Sequence, residues 1–180
     1  MISRLFLWVP FAVVITVLSG LVYLSVQQDI RSSANDPQIQ IAEDVATTLS
    51  SGQTPESFST QNKVDMATSL APYIIIFDET GKPVTATVEL NGKTPEPPAG
   101  VLDYARDHGQ DRFSWEPASG VRSAAVVSKY HKGFVLAGRS MREIEKREER
   151  LEKQVGLAWM VTMFTTLVAV FIFGTAWRKK

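Results

Sequence analysis

The sequence predicts an α+β domain, built on an antiparallel sheet and held between two membrane-spanning helices. Three observations predict it. No charged residue occurs from Leu5 to Val26 or from Val155 to Trp177. Between those runs, β-branched and alternating stretches are separated by turns rich in Asp, Gly and Pro. Helical signals lie before, between and after the strands.

Each apolar run is long enough for a hydrocarbon core of about 30 Å at about 1.5 Å per residue. The chain carries 19 basic and 19 acidic residues, and this neutrality hides an asymmetry. Every acidic residue falls between Asp29 and Glu152, whereas Arg4, Arg178, Lys179 and Lys180 lie outside the apolar runs. The central segment therefore holds 15 basic against 19 acidic residues, a net charge of −4. Basic residues are retained on the cytoplasmic side, so both termini are expected there and the centre outside. Trp159 and Trp177, with Trp8 and Tyr23, are spaced as interfacial anchors. A cleaved signal peptide is the competing reading of the first run; its greater length and the absence of a following A-x-A site favour retention.

The expected segments are residues 1–4 (cytoplasmic), 5–26 (first span), 27–154 (external domain), 155–177 (second span) and 178–180 (cytoplasmic). Within the domain the sheet is expected over about 71–139 and a stalk helix over 140–154. Cysteine is absent, which excludes disulfides, thiolate metal sites and a Cys nucleophile.

In chain order, the first span is expected to extend past Gln27 and break at Asn35-Asp36-Pro37. A new helix then starts near Asp36, with Asp as cap and Pro in the first turn. Ser51 to Pro55 reads as a loop and Thr60 to Leu70 as a short helix packing Val64, Met66 and Leu70. Tyr73 to Phe77, Asp78-Glu79-Thr80-Gly81 and Lys82 to Leu90 read as a hairpin, with Val84, Ala86, Val88 and Leu90 on one face. After Asn91-Gly92, Pro95, Pro97 and Pro98 lead to a crossover helix over Gly100 to His108, stopped by Gly109. Three strands follow, over Asp111–Glu116, Val121–Tyr130 and Gly133–Arg139. Ser140-Met141-Arg142-Glu143 reads as a capping box opening a charged helix that runs into the second span.

This order of helix, two strands, helix and three strands between membrane helices resembles the extracytoplasmic PAS-like single Cache (PDC) sensor domains of bacterial and archaeal histidine kinases and chemoreceptors. The resemblance rests on Ile74-Ile75-Ile76-Phe77-Asp78-Glu79-Thr80-Gly81-Lys82-Pro83-Val84, on Gly133-Phe134-Val135-Leu136-Ala137-Gly138-Arg139-Ser140 and on the outgoing helix. It covers about residues 30–154 and implies an antiparallel five-stranded sheet with N-terminal helices and a crossover helix. Such receptors continue into HAMP, kinase or methyl-accepting segments, whereas no output domain is expected after Trp177-Arg178-Lys179-Lys180.

The resemblance places a ligand pocket between the sheet and the crossover helix. Tyr73, Phe77, Tyr104, Phe113, Trp115 and Tyr130 would line it, and Arg112, Arg122 and Lys129 would meet an anionic group. The competing reading makes the aromatic residues core and the arginines solvated. Arg122 shares a face with Ala124 and Val126, where a charge requires a partner.

Nothing places a base against a nucleophile, so no enzyme, catalytic residue or cofactor is expected. Asp78 and Glu79 read as turn chemistry, and no metal site is expected. The expectation is thus a membrane-anchored sensor acting through a separate signalling or transport protein, with a small-molecule ligand and no nucleic acid. Dimerisation through the 140–154 helix is compatible with Ile144 and Leu151 lying one heptad apart. The alternative is an accessory subunit that uses the same domain for docking.

Overall fold

The computed structural model describes the backbone of residues 2–33 and 36–176 and the side chains of 6–33 and 36–173. The expected flanking charges Arg178, Lys179 and Lys180, the anchor Trp177, the Arg4 side chain and Asn35 lie outside this description. The chain forms two compact units, one of residues 1–31 with 145–180 and one of residues 32–144.

The first unit pairs α1 (Ile2–Ser32) with the body of α4 (Arg142–Ala176). Both helices are long and apolar enough to cross a membrane. The Nε1 of Trp8 donates to Thr166 Oγ1 at 3.2 Å and that of Trp159 to Thr16 Oγ1 at 3.0 Å, while Arg31 pairs with Glu148 at 2.7 Å. The partner's number falls on α4 as it rises on α1, so the helices are antiparallel. Each threonine hydroxyl also donates to its own helix, Thr16 to Ala12 O and Thr166 to Thr162 O, both at 2.8 Å. The two threonine hydroxyls thus satisfy both indole N–H groups. Phe6, Leu18, Phe164 and Phe173 remain exposed.

In the second unit, α2 (Asp36–Ser50) precedes a 3₁₀ turn at Pro55–Phe58. Then come β1 (Val64–Asp65), β2 (Tyr73–Asp78), β3 (Pro83–Ala86), β4 (Val88–Glu89), α3 (Val101–His108), β5 (Gln110–Ala118), β6 (Val121–Tyr130) and β7 (Gly133–Ser140). Five strands form an antiparallel sheet in the order β3-β2-β7-β6-β5, and β1 pairs with β4 in parallel. The α+β architecture with a five-stranded antiparallel sheet is therefore present, flanked by the two apolar helices.

Both faces of the sheet are covered, which explains the unbroken apolar run Ile74-Ile75-Ile76-Phe77. On one face α2 sets Ala42, Val45, Ala46 and Leu49 against Ile76, Val126, Val135 and Ala137. On the other, Val101 and Ala105 of α3, with Met66 and Val88, cover Tyr73, Ile75, Phe77, Trp115, Phe134 and Leu136. Burying each large side chain contributes about 1.5–3 kcal/mol, so this interior strand anchors two cores at once.

Three local expectations are corrected. The helix expected over Thr60–Leu70 does not form. Val64 N–H donates to Thr87 O and Met66 N–H to Glu89 O, so the segment becomes β1, and Asp65 closes the following turn by accepting from Ala67 N–H at 2.9 Å. The strand expected from Lys82 to Leu90 divides at Thr87, whose hydroxyl accepts from Ile74 N–H at 2.9 Å in place of a backbone partner. Val84 does not share the core face with Ala86 and Val88. Ile76 lies opposite Thr85 and Phe77 opposite Pro83, which leaves Val84 as the extra residue of a bulge, 46% exposed.

The end of the chain follows the sequence closely. Gly109 stops α3 at φ 84°, and its N–H donates to Ala105 O. α4 is one uninterrupted helix of 35 residues that starts at Arg142. Ser140 remains in β7 and its hydroxyl accepts from Arg142 N–H at 3.4 Å, so it caps from within the strand.

Candidate functional site

Three segments distant in sequence meet where α3 ends. The β2–β3 turn supplies Glu79, the last turn of α3 supplies Arg106, and the β6–β7 turn supplies Lys129, Tyr130, His131, Gly133 and Phe134. They enclose an open cavity of about 330 Å³.

Each wall has a local cause. Asp78 holds the first turn: its Oδ1 accepts from Thr80 Oγ1 at 2.6 Å, Thr80 N–H at 2.9 Å and Lys82 N–H at 2.9 Å. These bonds, led by the Thr80 hydroxyl, stabilise the carboxylate and hold its pKa below the usual value. Gly133 makes the second turn possible, because a Cβ there would overlap the Phe77 carbonyl oxygen. Its φ of 150° lies in the glycine region.

Arg106 lies at the centre of the cationic wall. Its guanidinium carbon lies 5.3 Å from the centre of the Phe134 ring, Nη1 pairs with Asp103, and Nη2 donates to Glu79 O at 3.3 Å. Lys129 Nζ donates to Arg106 O at 2.9 Å, which places a positive charge at the carbonyl end of α3. The Tyr130 hydroxyl titrates above its usual range, chiefly through burial and then through the carboxylates of Asp78, Glu56 and Glu79. The cavity lining thus carries Arg106, Lys129, His131 and Glu79, with the Phe134 ring beneath the Arg106 guanidinium on the α3 face and Tyr130 packed toward α2. Its cations suit a small molecule with an anionic group.

A second cavity, of about 300 Å³, opens beside the start of β2 and is lined mainly by Ile41, Val64, Pro72, Tyr73, Ile74 and Thr87. Among the described residues its lining carries no charged side chain, and its polar groups include Thr60 and Asn62.

The sequence-derived residues are dispersed among these places. Tyr73, Phe77 and Trp115 lie buried in the core under α3, with Phe113 half-buried 6.2 Å from the Trp115 ring. Among the described residues Trp115 Nε1 is a buried nitrogen without a hydrogen bond. Tyr104 is half exposed on the outside of α3 and stacks on His108 at 4.0 Å. Arg112 and Arg122 are exposed. Arg112 donates through Nε to Gln110 Oε1 at 3.0 Å. Arg122 lies seven residues from Lys129 along β6, about 23 Å at 3.3 Å per residue. Tyr130 and Lys129 reach the first cavity, and Tyr73 touches the second.

Glu79, Arg106, His131, Gly133 and Phe134 were not singled out as site residues. The only local sign was that two turns and a helix end bring charges close to glycines; their convergence depends on strand order. Among the described residues, no group of three His, Asp or Glu side chains gathers as for a metal ion. Comparison of the chain with protein-family models, curated proteins and solved structures yields no match.

Proposed function

We propose that this protein is a membrane-anchored extracytoplasmic sensor module of the PAS-like single Cache kind. It binds a small anionic ligand in the cavity beside Arg106 and Lys129 and acts through partner proteins. The observation that carries the reading is the path of β7. Its first two residues, Gly133 and Phe134, line the cavity, and its last, Ser140, lies two residues before α4 begins. A ligand held at the start of β7 therefore bears on a strand that leads directly into an apolar helix long enough to cross a membrane. For a signal to pass, the ligand must bind one arrangement of β7 and α4 more tightly than another.

The test is thermal unfolding of the full chain in detergent with a panel of small mono- and dicarboxylates. A ligand at 100 times its dissociation constant stabilises by about 2.7 kcal/mol, a readable shift. Lys129→Ala and Arg106→Ala should remove the shift, while Arg122→Ala should leave it. No stabilising carboxylate, or a shift that survives the first two substitutions, sinks the ligand reading.

Sidedness is tested separately. Because the chain has no cysteine, Asn91→Cys in the exposed turn after β4 should react with an impermeant maleimide on intact cells. Labelling only after lysis would place the sheet unit inside.

A docking role without ligand is the alternative, and the outer edge of β5, which among the described residues pairs with β6 alone, favours it.

A further inference from the structure

We propose that β5 pairs antiparallel with β5 of a second copy of this chain about Ser114, joining two five-stranded sheets into one. The proposal is independent of the ligand reading.

The two edges of the sheet differ. The β3 edge is four residues long and starts at Pro83, so it is short and lacks a donor. The β5 edge is nine residues long, and among the described residues β5 pairs with β6 alone.

Hydrogen bonding shows which groups face outward. Lys129 N–H donates to Gly109 O at 2.9 Å, and the ladder continues with Asp111 opposite Val127 and Phe113 opposite Ala125. In an antiparallel ladder, bonding to one neighbour alternates along the strand. Gly109, Asp111, Phe113 and Trp115 therefore turn their backbone groups to β6. Gln110, Arg112 and Ser114 turn theirs outward, and Glu116 follows where the register with β6 begins to shift. Proline is absent from the outward set; Pro117 falls where the register with β6 shifts, between Trp115 and Ala118.

Charge selects the occupant and the register. A lone Arg or Glu on an edge discourages pairing with an arbitrary strand. Centred on Ser114, however, a second β5 places its Glu116 opposite Arg112 and its Arg112 opposite Glu116. Sliding the copy by two residues in one direction sets Arg112 opposite Ser114, and by four sets Arg112 opposite Arg112. Only the Ser114-centred register makes two opposite-charge pairs, each of a kind that stabilises a sheet. Arg112, Ser114 and Glu116 are all exposed on this strand. Arg112 and Glu116 are each tied locally through one atom, Arg112 Nε to Gln110 and Glu116 Oε1 to Gly120 N–H at 2.7 Å. On the opposite face the same register sets half-buried Phe113 across from Trp115 of the second copy, extending the aromatic pair of each sheet. Edge pairing covers little area, so the association should depend on concentration.

Ser114→Cys introduces the chain's sole cysteine at the two-fold centre, where a hydrogen-bonded pair brings Cα atoms to about 5.5 Å. In the full chain in detergent, a short bis-maleimide should cross-link Ser114→Cys to a dimer in proportion to concentration. Arg112→Glu or Glu116→Arg, added singly, should weaken the dimer about tenfold, and the two together should restore it. The proposal is overturned if Ser114→Cys reacts with a monofunctional maleimide yet does not cross-link. It is equally overturned if cross-linking ignores the charge substitutions, or if Ile144→Cys on α4 cross-links while Ser114→Cys does not.

Discussion

The hydroxyl of Tyr73 on β2 meets that of Ser123 on β6 at 2.6 Å, spanning the intervening strand β7. Ser123 donates to Arg139 O at 2.9 Å, so the Tyr73 hydroxyl is the donor in the pair. The ring has room because Gly138 lies beneath it; a Cβ there would overlap the ring and the hydroxyl.

Removing that hydroxyl should be mild. Tyr73→Phe leaves Ser123 with Arg139 O and should cost about 1 kcal/mol, read from the denaturant midpoint with unchanged slope.

Filling the space should be worse. Gly138→Ala forces Tyr73 off its strand and should cost about 1–3 kcal/mol or more, while Gly138→Ala in a Tyr73→Ala background should cost less than in the native one.

Burial pushes the Tyr73 phenol up to about 12. The folded form thus holds its proton more tightly than the unfolded form, whose pKa is near 10. Stability from this site is complete below about pH 10 and is lost as pH rises toward 12. Tyr73→Phe should flatten the alkaline side of the stability profile.

Asp78 behaves in the opposite sense. Its carboxylate pKa is lowered by the Thr80 hydroxyl and the Lys82 and Thr80 amides. Its contribution is present above the ordinary carboxylate range and is lost as pH falls through the lowered folded pKa. Asp78→Asn should weaken the acid dependence, measured by thermal unfolding between neutral and acid pH.

In the paired membrane-type helices, Thr16→Val and Thr166→Val each remove an acceptor from an indole. Each should weaken the pair by about 0.6 kcal/mol, and Thr16→Val with Trp159→Phe should be less than additive. Unfolding in mixed detergent micelles measures both.

Much of this molecule follows from short-range patterns. The charge-free runs form helices long and apolar enough to cross a membrane, as their length and composition predict. Gly109 had to end α3, and the turns around Ser119-Gly120 and His131-Lys132 had to reverse β5, β6 and β7, because the signals lie within a few residues of the structures they cause. The sheet, its crossover helix and the outgoing helix were legible for that reason.

The remainder was decided by residues far apart in sequence. Val64 extends because Thr87 and Glu89 offer carbonyls from the other side of the hairpin, and Val84 bulges because β2 pairs out of step with β3. Tyr73 and Trp115 are core because α3 covers their face, while Arg112 and Arg122 lie in the open. The cavity takes Glu79, Arg106 and Lys129 from three segments whose meeting is set by the strand order and the α3 crossover. By itself the sequence determined the two apolar helices, α3 and the strands β2, β5, β6 and β7, since periodicity and turn chemistry are local, but not β1. Only the tertiary structure decided which aromatic residues are core and which cations face a cavity, since burial depends on what the rest of the chain places on each face.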